Sequence, residues 1–509
     1  MVSKHLQKIA LSAALLCPTI LPAEAQRFLR GNCLPDVGQT TSGPAGQYAP
    51  ARPNRLSLVT SWDSTRVYPV AVILVSSSDY DFLADSTPAR YDSIFNRPGY
   101  NEGRGLGCVA DYFREQSGGL FKTRFDIYGP VKVASQTKKS GGTNYGGAFF
   151  RTATLQLTDS IDFDASTYDW DADGKAEAIV FIYAGYGGNE AATVANGCIW
   201  PNTSTFTSIK VGGTTITRYS ASPERWSNDK LCGIGTICHE YSHTLGLPDI
   251  YPTGSNDVYS VCDEWDLMDG GNFTNSGWCP CNYSGLEKML LGWAEPIELT
   301  EAMQISDMKP ISEGGAFYRI SCTDTEYYLL ENRQWSGWDL RTPGHGLLVA
   351  HVDYSPAAWS ANTLNNTRGH RRYEYFHADN LDYEAWDEIV GNNNPYVSGH
   401  SRILSTTPYP YVTDSTENRQ LTDDSEPAAT VFSEQGLMGK AITDIRESSD
   451  GRIAFNFMKA DDSAVSWPSD NARTTSNGKP TAVYDLSGRK ATAGTKLRIA
   501  EGRKHIGTN

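Results

Sequence analysis

The stretch GIGTICHEYSHTLGLPDIY, Gly233 to Tyr251, decides how this chain is interpreted. The chain has nine histidines, and two of them, His239 and His243, stand four positions apart. On a helix this spacing places both imidazoles on one face, about one turn apart. Two neutral imidazoles arranged in this way can bind one zinc ion. Glu240 is rotated by about 100° from His239. It can therefore act as a general base on a zinc-activated water without being a ligand.

The residues after this segment supply candidates for a third ligand. Gly246 predicts the end of the helix, because glycine readily adopts the positive φ of a helix terminus. Asp249 follows three residues later and is the preferred third zinc ligand, which leaves a fourth position for water. The alternative is Glu264 or Asp263, since carboxylates there can also bind zinc. Met268, in EWDLMDGG, suggests a methionine turn beneath the metal.

The N-terminus has the features of a signal peptide. A basic start is followed by an apolar run over residues 9–21 and by the cleavage pattern Ala-Glu-Ala at 23–25. We therefore expect a mature protein that begins at Gln26 and is secreted or lies at the cell surface. The run is too short to span a bilayer. The net charge of −15 argues against nucleic acid or an anionic membrane as a partner.

The pattern of strands, helices and linkers divides the remaining chain. Residues 26–60 are rich in Gly, Pro, Ser and Gln and indicate a short propeptide or linker. Alternating strands and helices predict an α+β catalytic domain over 61–295. Strands such as EYYLLENR and HGLLVAHVDY predict a mostly-β domain over 296–460. A polar linker is expected over 461–478, followed by a short module over 479–509.

Several segments together resemble the immune inhibitor A family of secreted bacterial zinc metallopeptidases, in its Bacteroidetes form. The segments include YPVAVILVSSSDYDF, GCVADYFREQSGGLF, GIGTICHEYSHTLGLPDIY, EWDLMDGGNF and GLEKMLLGWAEP. The resemblance implies a metzincin-like zinc endopeptidase domain followed by a β-rich domain. It assigns zinc binding to His239 and His243 and the base to Glu240. The resemblance assigns the third ligand less directly, so Asp249 stays the preferred candidate, with Glu264 or Asp263 as the alternative.

Two weaker patterns suggest further metal chemistry. DWDADGKAE places Asp169, Asp171 and Asp173 at alternate positions before a glycine, as at the start of a calcium loop. Glu177 stands where it can add a further carboxylate. GNCLPDVG, with Cys33, resembles the cysteine switch of matrix metalloproteases, one residue short of that pattern. Nine cysteines remain after the signal peptide, so at least one lies outside any intramolecular disulfide.

The C-terminal segment AVYDLSGRKATAGTKLRIAEGRKHIGTN resembles the sorting module of type IX secretion cargo, although its last five residues depart from that pattern. The type IX secretion machinery is therefore an expected partner, beside a protein or peptide substrate. A terminal β-hairpin with no export role is the alternative.

These observations predict a secreted zinc metalloendopeptidase with Zn²⁺ as its cofactor and Ca²⁺ as a second cation. The rival interpretation is a retired protease scaffold that serves as a surface binding or adhesion protein. Such a protein has no need of the base Glu240, and the sequence retains it. The cleavage specificity and the disulfide pairing cannot be predicted from these patterns.

Overall fold

The computed structural model describes residues 62–134, 144–190, 197–254, 261–382, 385 and 400–459, and two short strands near the C-terminus. The described residues up to Lys459 belong to one compact unit, and the two C-terminal strands belong to a second unit. The predicted signal peptide (1–25), the propeptide with Cys33 (26–60) and the linker (461–478) lie outside the described residues. The boundary predicted at residue 295 stays a prediction.

The described helices are numbered in chain order. They are α1 (Pro88–Asn96), α2 (Val109–Gln116), α3 (Gly147–Ser160), α4 (Gly235–Leu245), α5 (Gly285–Leu290), α6 (Pro356–Ser360) and α7 (His400–Ser405). Short 3-10 turns are found at Glu102–Arg104, Ala165–Tyr168, Asp263–Trp265, Gly271–Gly277, Ile311–Glu313 and Gly337–Arg341.

The described strands of the first unit run in the same order. They are β1 (Val67–Ser77), β2 (Lys122–Val133), β3 (Ile179–Tyr186), β4 (Asn202–Val211), β5 (Thr214–Arg225), β6 (Ile297–Glu298), β7 (Met303–Met308), β8 (Tyr318–Ser321), β9 (Glu326–Arg333), β10 (Gly346–Asp353), β11 (Tyr373–Tyr375), β12 (Tyr411–Val412), β13 (Glu417–Asn418), β14 (Ile442–Glu447) and β15 (Ile453–Phe457).

A five-stranded mixed sheet organises the first half of the unit. Its order is β2-β1-β3-β5-β4, with parallel pairs except for the antiparallel edge strand β4. The predicted strand VYPVAVILV is β1, and it is apolar throughout because helices cover both faces of the sheet. Val70, Val72 and Leu74 join a core with α1, α2 and α4. The alternate residues Ala71 and Ile73 join a separate core with α3.

A second sheet, in the order β11-β10-β9-β8-β6, is built mostly from antiparallel pairs after residue 295. The strands predicted near 326–333 and 345–354 are β9 and β10. Leu329 and Leu348 pack into the same core as α4, whereas Leu330 and Leu347 pack into a third core with β14 and β15. The first core therefore extends across the expected domain boundary.

Small sheets complete the described structure. The strands β14-β15-β7 form one sheet and β12-β13 form another. In the second unit, β16 (Leu497–Ala500) pairs in antiparallel fashion with β17 (Arg503–Ile506). Among the described residues no helix is both long and apolar enough to cross a bilayer. No disulfide joins two of the described cysteines.

Candidate metal centre and active site

The zinc-binding pattern lies on α4, a helix buried over its whole length. Gly235 at its start packs so closely on the carbonyl of Asn272 that a Cβ there would lie 1.9 Å from the carbonyl oxygen. Gly246 ends the helix with a φ of 104°, as the sequence predicts. Its N–H donates to the carbonyls of Ser242 and His243. The chain then reverses and brings Asp249 back towards the helix.

The reversal brings the two imidazoles and one carboxylate together. Asp249 Oδ1 lies 3.3 Å from His239 Nε2 and 3.2 Å from His243 Nε2. The side chains of His239 and Asp249 are fully buried, and His243 is 5% exposed. The two distances are two sides of a triangle whose corners are potential metal-ligand atoms, and these three atoms face one another in the protein interior.

Backbone carbonyls fix the tautomer of both histidines. The carbonyl oxygen of Leu267 lies 2.8 Å from His239 Nδ1, and that of Leu247 lies 2.7 Å from His243 Nδ1. A carbonyl can only accept a hydrogen bond, so each Nδ1 carries a proton and each neutral ring presents its Nε2 lone pair. Metal-binding histidines are commonly oriented by a contact of this kind.

His239 Nε2, His243 Nε2 and Asp249 Oδ1 are suited to bind a shared metal ion rather than to hydrogen-bond with one another. In neutral rings with protonated Nδ1, both Nε2 atoms are acceptors, as is Asp249 Oδ1. Among the described residues none of the three has a hydrogen-bond partner. Zinc bonds of about 2.0–2.1 Å in tetrahedral geometry put neighbouring ligand atoms roughly 3.3–3.5 Å apart. The observed 3.2 and 3.3 Å match this spacing.

The electrostatics of Asp249 favour its charged form. Burial raises the pKa of this carboxyl, but the positive charges that His243 and His239 carry when protonated outweigh burial and lower the pKa below its usual range. Its second oxygen, Oδ2, accepts a hydrogen bond of 2.7 Å from Asn362 Nδ2. A charged carboxylate with one oxygen held and one oxygen directed at two imidazoles is suited to bind a cation through one oxygen.

Glu240 lies on the same helix between the two histidines and is fully buried. The hydroxyl of Thr203, on β4, donates to the backbone carbonyl of Glu240 and lies 3.3 Å from its Oε2. The strand next to the helix thus limits the orientation of this carboxylate. Glu240 is thus a candidate general base on the helix that carries the two histidines.

The segment around Met268 packs against the same site. Met268 is fully buried, and its carbonyl accepts a hydrogen bond of 2.9 Å from the N–H of Ile250, the residue after Asp249. The carbonyl of Leu267 orients His239, as described above. The predicted methionine segment therefore contacts both the helix and the loop that provide the three donor atoms.

The alternative third ligands are not part of this group. Among the described residues, His239 and His243 share their group of potential ligand atoms only with Asp249. Asp263 and Glu264 lie instead in a 3-10 turn between Cys262 and Asp266. The N–H of Asp263 donates to Asp269 Oδ2 at 2.8 Å, which directs this turn towards its own acidic loop.

The predicted calcium loop has a different set of carboxylates from the one expected. Asp169, Asp171 and Glu177 have ligand oxygens within 4.8 Å of one another. The Asp173 carboxylate lies instead 2.7 Å from Lys175 Nζ. Asp173 is therefore paired with a lysine and is not part of this group of oxygens, and its role in cation binding stays a prediction. Burial raises the pKa of Glu177 to about 8, with smaller contributions from the charges of Asp171 and Asp169.

Three residues that orient the site were not identified from the sequence. Thr203 and Asn362 were described above, and the third is Arg218, whose Nη2 donates to the carbonyl of His243 at 2.8 Å. Thr203 lies 37 positions from Glu240, Asn362 lies 113 positions from Asp249, and Arg218 lies 25 positions from His243. No local spacing rule connects residues so far apart, so only the tertiary fold reveals them.

A comparison with protein families adds an independent finding. Residues 74–292 match the model of a family described as immune inhibitor A peptidase M6, catalytic domain. The matched range includes the whole of α4, Asp249 and Met268, and ends close to the expected domain boundary at 295. A separate comparison with curated proteins found no match to the chain.

Proposed function

The chain belongs to the immune inhibitor A-like peptidases, and from this premise we propose that it is a secreted zinc-dependent endopeptidase. The observation that carries the proposal is the convergence of His239 Nε2, His243 Nε2 and Asp249 Oδ1. Two nitrogens and one oxygen form a donor set that suits zinc and leaves a fourth position open in a tetrahedral site. The membership in a peptidase family makes a protein or peptide the substrate.

The protein residues have separate roles in this proposal. His239, His243 and Asp249 would hold the ion. When bound, zinc would supply a Lewis acid that polarises the scissile carbonyl and lowers the pKa of a water. Glu240 would accept the proton of the attacking water and return it to the departing amine nitrogen. Thr203 would keep the Glu240 carboxylate in place during both transfers.

The test compares the parent with Glu240→Gln, which keeps the shape of the side chain and removes its basicity. We expect a loss of about 10²–10⁴-fold in kcat on a denatured protein substrate, the usual contribution of a general base. Both proteins should contain one zinc per chain, and a chelator should abolish the activity of the parent. Glu301→Gln, at an exposed position after residue 295, is the matched control and should keep full activity.

The outcomes separate the two interpretations of the chain. A parent that carries zinc but never cleaves, even after removal of residues 26–60, would favour a retired scaffold with a binding role. A Glu240→Gln variant that cleaves as fast as the parent would remove Glu240 from the mechanism.

The location, export route and second cation are parts of the same proposal. The N-terminal signal supports secretion, and N-terminal sequencing of exported protein should then begin at Gln26. The C-terminal segment supports the type IX secretion machinery as a partner. The grouping of Asp169, Asp171 and Glu177 supports a site for Ca²⁺, because this hard cation prefers several carboxylate oxygens.

A further inference from the structure

The loop that carries Asp249 is held by a segment far along the chain. Three asparagines of the sequence NTLNN, at 362, 365 and 366, contact residues 249–254. They follow α6 and lie outside the range that matches the peptidase family, 74–292. The candidate metal centre is therefore in contact with the part of the chain that the sequence assigns to a separate β-rich domain.

Asn362 differs from the other two asparagines because it binds the ligand residue itself. Its Oδ1 accepts a hydrogen bond of 2.7 Å from the backbone N–H of Asp249. Its Nδ2 donates a hydrogen bond of 2.7 Å to Asp249 Oδ2. Asn362 is 5% exposed, and its backbone has a φ of 55°, a conformation that asparagine tolerates better than most residues. The amide thus contacts the backbone and the carboxylate of Asp249 at the same time.

We propose that Asn362 is a positioning residue for the third metal ligand. It occupies Asp249 Oδ2 and leaves Oδ1 directed at the Nε2 atoms of His239 and His243. This inference rests on the proposed zinc function and adds a residue from outside the matched catalytic range. Partners of this kind fix the orientation of a ligating carboxylate, and their loss commonly lowers metal affinity by about 10–100-fold.

The chemistry of an amide suits this role. A carboxylate at position 362 would repel Asp249, and a lysine or arginine would compete with the metal for its negative charge. The amide donates one hydrogen bond without adding a charge, so Asp249 keeps its full charge for the cation. The carboxylate is oriented without being neutralised.

The other asparagines provide an internal control, because they hold the loop without touching Asp249. Asn365 Nδ2 donates to the carbonyl of Ile250 at 2.7 Å. Asn366 Oδ1 accepts from the N–H groups of Thr253 and Gly254 at 2.7 and 3.2 Å. Loss of Asn366 therefore loosens the loop, whereas loss of Asn362 also releases the ligand oxygen.

The experiment measures zinc affinity in the full-length mature protein by competition with a chromogenic chelator. The first variant is Asn362→Gly, because glycine adopts the positive φ without strain. Its dissociation constant for zinc should rise by about 10–100-fold, and that of Asn366→Ala by less than tenfold. The melting temperature of each metal-free protein establishes that the variants are folded.

Equal affinities for Asn362→Gly and Asn366→Ala would overturn the positioning role and leave the peptidase proposal intact. A parent that binds no zinc would overturn both. Should the glycine variant fail to fold, Asn362→Asp keeps the volume and the acceptor for the Asp249 N–H but, in its ionised form, cannot donate to Oδ2. Its Co²⁺-loaded form should then differ from the parent in its visible spectrum, which depends on coordination geometry. A spectrum identical to that of the parent would refute the inference.

Discussion

Arg333, at the end of β9, is paired with two buried carboxylates, and its removal should lower the stability of the fold. The side chain is fully buried and binds Asp339 through two hydrogen bonds, of 2.7 Å from Nε and 2.6 Å from Nη2. Nη1 lies 2.9 Å from Glu331 Oε1 and also donates to the carbonyl of Trp265 at 3.1 Å. Burial lowers the pKa of Arg333, but Asp339 and Glu331 outweigh burial and raise it well above its usual value.

The expected loss of unfolding free energy in Arg333→Met follows from the groups that lose their partner. Methionine fills a similar space but leaves two buried carboxylates without their cation. Removing one partner of a buried ion pair costs about 3–5 kcal/mol of unfolding free energy.

Arg124→Met is the matched control, because Arg124 forms the same bidentate pair on the surface. Its Nε and Nη2 lie 2.8 and 3.0 Å from the oxygens of Asp126, and its side chain is 56% exposed. Loss of such an exposed pair should cost about 1 kcal/mol or less. Urea titration of both variants measures the difference. If Arg333→Met is no more destabilised than Arg124→Met at pH 8, the reasoning from burial is wrong.

Two further predictions concern the candidate calcium-binding carboxylates and the contact between Thr203 and Glu240. Calcium should raise the melting temperature of the parent and of Asp173→Asn but not of Glu177→Gln, as differential scanning calorimetry can show. Because the pKa of Glu177 is about 8, calcium affinity should rise with pH up to that value, and a pH-independent affinity would exclude Glu177 as a ligand. Thr203→Val should lower kcat about tenfold with unchanged zinc content, because the hydroxyl no longer restrains Glu240. The control is Thr205→Val, exposed on the same strand, and equal losses of kcat in both would contradict this role.

The parts of the site that depend on local backbone geometry were predictable from the sequence. The i, i+4 spacing of His239 and His243 determines that both rings lie on one face of α4, whatever surrounds the helix. Gly246 determines where the helix ends, and the short turn limits how far Asp249 can lie from the rings. Each inference spans fewer than about four helical turns, over which backbone geometry leaves few alternatives.

The strands were predictable for a similar reason, but their packing was not. The unbroken apolar run of β1 indicates a strand buried on both faces. It does not indicate which helices cover each face. That Leu329 and Leu348 pack into the same core as α4 is a tertiary property. A change of pattern near residue 295 suggests a domain boundary, whereas the apolar core continues across it.

The identity of the third donor illustrates the limit most clearly. The sequence favours Asp249 but keeps Glu264 and Asp263 as alternatives, because a carboxylate at any of these positions can bind zinc and the length of a loop does not fix its path. In the structure the path is fixed by Asn362, 113 residues from Asp249, together with the carbonyl of Met268. Hydrogen bonds between segments far apart in the chain produce no recognisable pattern in the sequence of either segment. A pattern of eleven residues can therefore indicate the helix, the candidate base and two candidate ligands, whereas Asp249 is held by a segment that no such pattern contains.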